Sequence, residues 1–328
     1  MALRLLIAIL ILAVPAELPG CGPFLPEALF YLKGAPEAPA EFARGQLGIV
    51  QPTYERLYQV IAYRYLSGVG LNDAEQKAVL PPSWPVADAP TPNPWLAARN
   101  HVPGIPPVRE LSPYRQVKKE GYFDTYLNCN DDAFLTAAST LKRVQQTGAA
   151  AEWIAAQDVV FADCSKGDAT PQPASDPRLG ADRAYQIASA KFYSEQYDAA
   201  RQDFQAIAAD DSSPWHDVAP YLGARCLIRA GKLAEAETAL QSVAADPALT
   251  RWHAPAIGLL GYVRARLHPA ERMHELALAL VRPDSQATIG QDLIDYRMLF
   301  DKDLKPQAND DLTDWILSFH TEIGRAHV

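Results

Sequence analysis

Nothing in this chain is spaced for metal, thiol or phosphate chemistry. Four cysteines and seven histidines are spread over 328 residues. None forms a Cys-x-x-Cys pair or a Cys/His cluster, which argues against a zinc site and a thiol redox motif. There is no glycine-rich phosphate loop, no His-Glu-x-x-His and no Gly-x-Ser-x-Gly. His101 stands alone, and helix-breaking Pro269 separates His268 from His274. The oxygen-rich string Asn128-Cys129-Asn130-Asp131-Asp132 lacks the alternating ligands, central glycine and closing glutamate of a calcium loop; helix capping accounts for it better. No cofactor and no metal is expected. Positive charge is short as well. Lysine plus arginine total 30 against 39 acidic residues, a formal net charge of -9. That balance argues against a nucleic-acid partner and leaves no basic patch for an anionic membrane. Beyond the first 20 residues no apolar run is long enough to span a bilayer.

The chain begins with a leader. Residues 1–20 place Arg4 ahead of an apolar run from Leu5 to Val14, the pattern of a secretory signal. Two processing routes are open. Cleavage after Ala16 follows the small-residue rule. Alternatively, Leu18-Pro19-Gly20-Cys21 resembles the bacterial lipoprotein box, which would make Cys21 the lipidated residue and the chain's only link to a membrane. Cys21 as a free or disulfide-bonded cysteine is the rival reading. The leader predicts export, to a bacterial periplasm or to an outer-membrane anchor.

Proline then divides the chain. Most of the 27 prolines lie in the first third, so 21–165 reads as a proline-rich, mostly helical N-terminal region distinct from the C-terminal half. Phe24, Phe30 and Tyr31 suit packing better than a bare tether. Residues 52–66 and 72–80 read as helices, the second capped by Asn72 or Asp73. Residues 81–113 hold ten prolines and admit no long helix or central strand; Trp84 and Trp95 mark them as a wrapping segment. Helices at about 133–146 and 150–161 form a hairpin whose open end carries Cys129 and Cys164. A disulfide between them would clamp it, closing a loop worth ~3–4 kcal/mol of chain entropy.

The clearest pattern is a repeat. Tyr197, Ala200, Phe204 and Ile207 are matched, 36 residues on, by Leu233, Ala236, Leu240 and Val243. Each set falls on one face of a helix. The alanines let helices approach closely, and the larger residues fill the adjoining grooves. Gly231 suits the turn between two helices, where the preceding unit has Glu195. Cys226 takes a small-residue position, so it reads as a buried thiol.

These residues resemble the tetratricopeptide repeat, with Ala200 and Ala236 at its central alanine and Gly231 at its turn glycine; the early tryptophan is replaced by Ala184. The resemblance implies an all-α fold, a TPR-like α-solenoid of stacked hairpins over 181–280. A third hairpin is expected at 252–280, with further helices over 286–321. Residues 322–328, EIGRAHV, back-translate to a string resembling a sequencing adapter, so a non-native tail after a truncated end is expected.

Stacked hairpins bury faces only against their neighbours and leave a long surface free. With no catalytic constellation, the sequence reads as an exported envelope scaffold or adaptor, not an enzyme, binding a protein or peptide. Tyr185, Lys191, Tyr193, Arg225 and Arg229 are the candidate contacts. Two alternatives stand beside this reading. One is a glycan-acting hydrolase using Glu110, Glu120 or Asp124 in a cleft lined by Trp84 or Trp95. The other is a purely structural assembly subunit.

Overall fold

The computed structural model describes residues 34–80, 93–283, 288–300 and 310–321. The leader, Cys21, the aromatics at 24, 30 and 31, Trp84 and the tail at 322–328 lie outside the described residues.

The repeats form three consecutive antiparallel hairpins. They are α7 (Gly180–Tyr193) with α8 (Tyr197–Ala208), α9 (Ala219–Arg229) with α10 (Leu233–Ala245), and α11 (Thr250–Leu267) with α12 (Pro269–Leu280). An earlier hairpin, α5 (Asp131–Gln145) with α6 (Ala150–Ala162), stacks on α7 and starts the array. Local chemistry sets the boundaries. Asp176 and Asp246 each accept a 2.9 Å hydrogen bond from the N–H two residues on, so each Asp-Pro pair folds a single 3-10 turn. That turn buries Leu179 or Leu249 and launches the next helix. The inner turns need left-handed backbone, supplied by Gly231 at φ 75° and, in the unit before, by Glu195 at φ 67°. Ala200 and Ala236 are fully buried, with Phe204 and Leu240 packed beside them. Cys226 is a free, buried thiol, its pKa pushed up to about 12 by burial.

Cys129 and Cys164 are bonded across the open end of the α5–α6 hairpin, with Cα atoms 5.4 Å apart. The all-α class holds, with one addition that the sequence pattern does not announce. Strands β1 (Tyr114–Lys119) and β2 (Tyr122–Leu127) pair antiparallel, Tyr114 opposite Leu127 and Lys119 opposite Tyr122. Gly121, at φ 84°, makes their turn. Arg115 and Asn128 fasten this hairpin to the array by donating to helix-end carbonyls. Arg115 Nη1 reaches the oxygens of Asp163, Gly167 and Tyr193 at 3.0, 3.2 and 3.2 Å. Asn128 Nδ2 reaches those of Asp163, Cys164 and Tyr193 at 3.3, 3.2 and 2.9 Å. Both therefore satisfy orphan carbonyls after α6 and at the end of α7. The oxygen-rich string serves the helix ends only in part: Asn128 meets these carbonyls and Asp131 and Asp132 sit in the first turn of α5, but Asn130, at the N-cap position, makes no side-chain capping hydrogen bond and turns to Asp132 instead.

The proline-rich region goes to two places. Helix α4 (Pro94–Asn100) starts at Pro94, capped by Asn93, and buries Trp95 against Trp153 and Phe161 in the core of the first hairpin. The earlier helices α1 (Pro39–Ala43), α2 (Arg56–Leu66) and α3 (Asp73–Val79) lie instead at the far end of the array. They share one core with α12, α13 (Ile289–Phe300) and α14 (Asp311–Thr321). A buried ion pair ties the two ends of the chain. Arg64 Nη2 lies 3.0 Å from Glu75 Oε1, each side chain 1% exposed. Arg64 Nη1 donates to the carbonyls of Leu280 at 2.5 Å and Arg282 at 3.2 Å, where α12 ends. Burial lowers the Arg64 pKa, against the opposing pull of Glu75.

Candidate functional site

The first helix of each hairpin faces a common groove. Helices α5, α7, α9 and α11 line a cavity of about 790 Å³, within the range of ligand sites. Helical period explains the set. Tyr185, Ser189, Phe192 and Tyr193 recur at three- and four-residue steps on α7, as do Val218, Tyr221, Leu222 and Arg225 along α9. From α5 come Leu135 and Asp132, and from α11 come Arg251, Trp252, Pro255 and Leu259. Acidic residues of the second helices lie outside the groove and are paired: Asp203 with Lys191 of α7 at 2.6 Å, Asp198 with Lys232 at 2.6 Å, and Glu275 with Arg264 of α11 at 2.7 Å.

Aromatic rings dominate the groove. Tyr185 stacks on Trp215 at 3.9 Å and Tyr221 on Trp252 at 5.3 Å, both near parallel. Burial raises the pKa of Tyr185, Tyr193 and Tyr221, so each phenol keeps its proton at neutral pH and remains a donor. Arg225 lies over the rings of Phe192 at 5.4 Å and Tyr221 at 6.0 Å, and Arg251 over Trp252 at 5.3 Å. Directly below, a cavity of about 20 Å³ has room for one water; Thr136, Thr140, Gln157, Gln186 and Ser189 give it a polar lining.

Three of the five residues singled out in the sequence, Tyr185, Tyr193 and Arg225, line this groove. Lys191 is committed to Asp203. Arg229 lies 5.2 Å from the Tyr126 ring and donates to the Leu127 carbonyl at 3.4 Å, which holds the β-hairpin. Tyr221, Arg251 and Trp252 line the groove without being among the five. Tyr221 was within reach, because it lies beyond Tyr185 by the same 36 residues that relate the packing positions. The three carboxylates offered for hydrolysis are scattered. Glu110 lies in the loop before β1, Glu120 at the strand turn and Asp124 on β2. Trp95 is 1% exposed, so it lines no cleft. Among the described residues no group of three metal-ligating side chains converges, and no helix is long and apolar enough to cross a membrane.

Comparison with known proteins agrees with this geometry. Residues 192–254, from the end of α7 into α11, match the family model of the tetratricopeptide repeat. No curated protein and no solved structure matches the chain. Repeats of this family typically serve as protein-binding modules rather than catalysts. The repeat spacing, the stacked hairpins and the family match agree on a TPR-like helical repeat protein, an architecture that points to an interaction scaffold.

Proposed function

We propose that this chain is an exported scaffold of a bacterial cell envelope, and that the groove between α5 and α11 holds one segment of a partner protein. The observation that carries the reading is the groove itself. Four helices of four successive hairpins present aromatic and polar side chains to a single cavity, while the opposite side spends its charges on neighbours within the array. Export rests on the leader at 1–20. It is supported by the Cys129–Cys164 bond, a feature characteristic of oxidising compartments. Cys21 is the proposed anchor to the membrane.

Photocrosslinking in intact cells tests the binding face. A photoreactive side chain at Leu135, exposed on the groove wall, should give a discrete adduct with an envelope protein. The same side chain at Gln202, exposed on α8 and outside the groove, should not. Equal adducts from both positions, or none from Leu135, would defeat the proposal. Mass spectrometry of the mature chain tests export separately: a start at Cys21 carrying acyl groups, or at Glu17, is the expected result, and an intact Met1 refutes it.

A further inference from the structure

The groove arginines point to the chemistry of the partner. In this chain of net charge -9, many arginines are paired with carboxylates. Arg99 meets Asp158 at 2.7 Å, Arg143 meets Asp182 at 2.6 Å, and Arg264 meets Glu275 at 2.7 Å. Arg225 and Arg251 do not. Neither makes an ion pair among the described residues, and both lie over aromatic rings instead. A guanidinium stacked on a ring is held in place while its edge N–H groups stay available, and those N–H groups fit a carboxylate in bidentate fashion. The cavity on the other side of the repeats makes the contrast. It holds about 330 Å³ between α8, α9 and α10, its walls are largely small apolar residues, and its arginine, Arg201, lies 3.9 Å from Glu235.

We infer that the groove binds an extended acidic peptide segment, whose carboxylates meet Arg225 and Arg251 and whose apolar side chains lie against Tyr221 and Trp252. Two features of the groove favour this occupant. Its unpaired charges, Arg225 and Arg251 against Asp132, leave a net positive balance within an acidic protein, so a segment carrying acidic residues is drawn to the groove and repelled from the rest of the surface. Its rings Tyr221 and Trp252 stack on each other at 5.3 Å between the two arginines that lie over them, so apolar surface sits beside each charge, which suits mixed acidic and apolar residues better than a uniformly charged polymer. Asp132, on the facing wall, adds the opposite sign there and disfavours a segment that is acidic throughout. This inference rests on the groove being the binding surface.

The probe is a fluorescein-labelled peptide of alternating glutamate and leucine, titrated onto the purified chain and read by anisotropy. A lysine–leucine peptide, a glutamate–serine peptide and polygalacturonate are the comparisons. The glutamate–leucine peptide should bind best and weaken as salt rises. Arg225→Gln and Arg251→Gln should each weaken it roughly tenfold, Arg225→Lys should restore only part, and Arg201→Gln should change nothing. Arg251 is exposed, so its variant leaves the packing intact; circular dichroism verifies the fold of the Arg225 variants. Equal binding of the lysine peptide or of polygalacturonate, no binding of the glutamate–leucine peptide, or indifference to both arginines overturns the inference. Should the Leu135 crosslink persist in Arg225→Gln and Arg251→Gln, the groove reading survives and the acidic partner does not.

Discussion

Replacing Arg64 by alanine is the sharpest test of how the chain closes on itself. The guanidinium has four roles within one buried site. It neutralises Glu75, and it satisfies the carbonyls of Gly70 at 2.8 Å, Leu280 at 2.5 Å and Arg282 at 3.2 Å. Alanine leaves the Glu75 carboxylate at 1% exposure facing carbonyl oxygens instead of a cation. Breaking a buried pair by removing one partner costs about 3–5 kcal/mol, most of it from the stranded charge. For a chain of this size that is a fall in melting temperature of about 5 °C, tracked by far-UV circular dichroism. The location is as informative as the size. Hydrogen exchange should rise in α2, α3 and α12 and hardly change in α8 and α10, which share no core with Arg64. Replacing both partners, Arg64→Met with Glu75→Leu, should recover most of the loss, because no charge is then left unpaired. A fall under about 1 kcal/mol for Arg64→Ala, or exchange rising evenly through the repeats, would refute the reasoning.

Three further outcomes concern the front of the array. Replacing Cys129 and Cys164 together by alanine should lower the urea-unfolding free energy by ~3–4 kcal/mol, the entropy of the loop they close; an unchanged midpoint would mean that the packing of α5 on α6 suffices. Glu195→Gly relieves a left-handed residue worth ~1 kcal/mol of strain but removes the 2.5 Å bond from Tyr126 Oη and the pairing with Arg115 at 3.6 Å. The melting temperature should barely move while exchange in β1 and β2 rises, and unchanged exchange there would count against Glu195 as a latch. Burial raises the Asp163 carboxyl from 3.8 to about 6, so the folded chain holds that proton more tightly than the unfolded chain. Its stabilising contribution is therefore full below about pH 4 and is lost as pH rises to about 6, a change on the order of 2–3 kcal/mol. Asp163→Asn should remove this slope in urea titrations run across that window, and an identical slope would assign it to another group.

The sequence disclosed whatever neighbouring residues decide among themselves. Ala200 with Phe204 and Ala236 with Leu240 are packing pairs one helical turn apart, so the 36-residue spacing identifies both hairpins without any knowledge of distant contacts. Tyr185 and Tyr221 keep that spacing on the groove side, and Trp252 does not. The β-hairpin was illegible for a physical reason. Its inward residues include Arg115 and Tyr126, which meet helix-end carbonyls and Glu195 rather than an apolar core, so the strand carries no alternation of apolar and polar residues. The return of 34–80 to α12, α13 and α14 was illegible for another. An apolar face on α2 states that something covers it, never which segment does.

That return also bears on the groove. A hairpin array is held together neighbour by neighbour, so its weakest layers are those with a neighbour on one side only. Here the first layer gains a disulfide and a β-hairpin that satisfies the carbonyls at its open end, and the α12 end gains three helices from the opposite part of the sequence together with a buried ion pair. Between these reinforced layers lie α7, α9 and α11, the helices that carry the groove aromatics and arginines. A groove held open between two stiff layers loses little conformational freedom when a flexible segment enters it, and the ordering cost then falls on the partner. Arg64→Ala therefore reaches beyond stability. It loosens the α12 layer without touching the groove, so the glutamate–leucine peptide should bind it more weakly through a faster off-rate, with the on-rate nearly unchanged. Identical kinetics in the loosened variant would mean that α5 to α11 hold their own shape, and that the reinforcement at the far end serves only the fold.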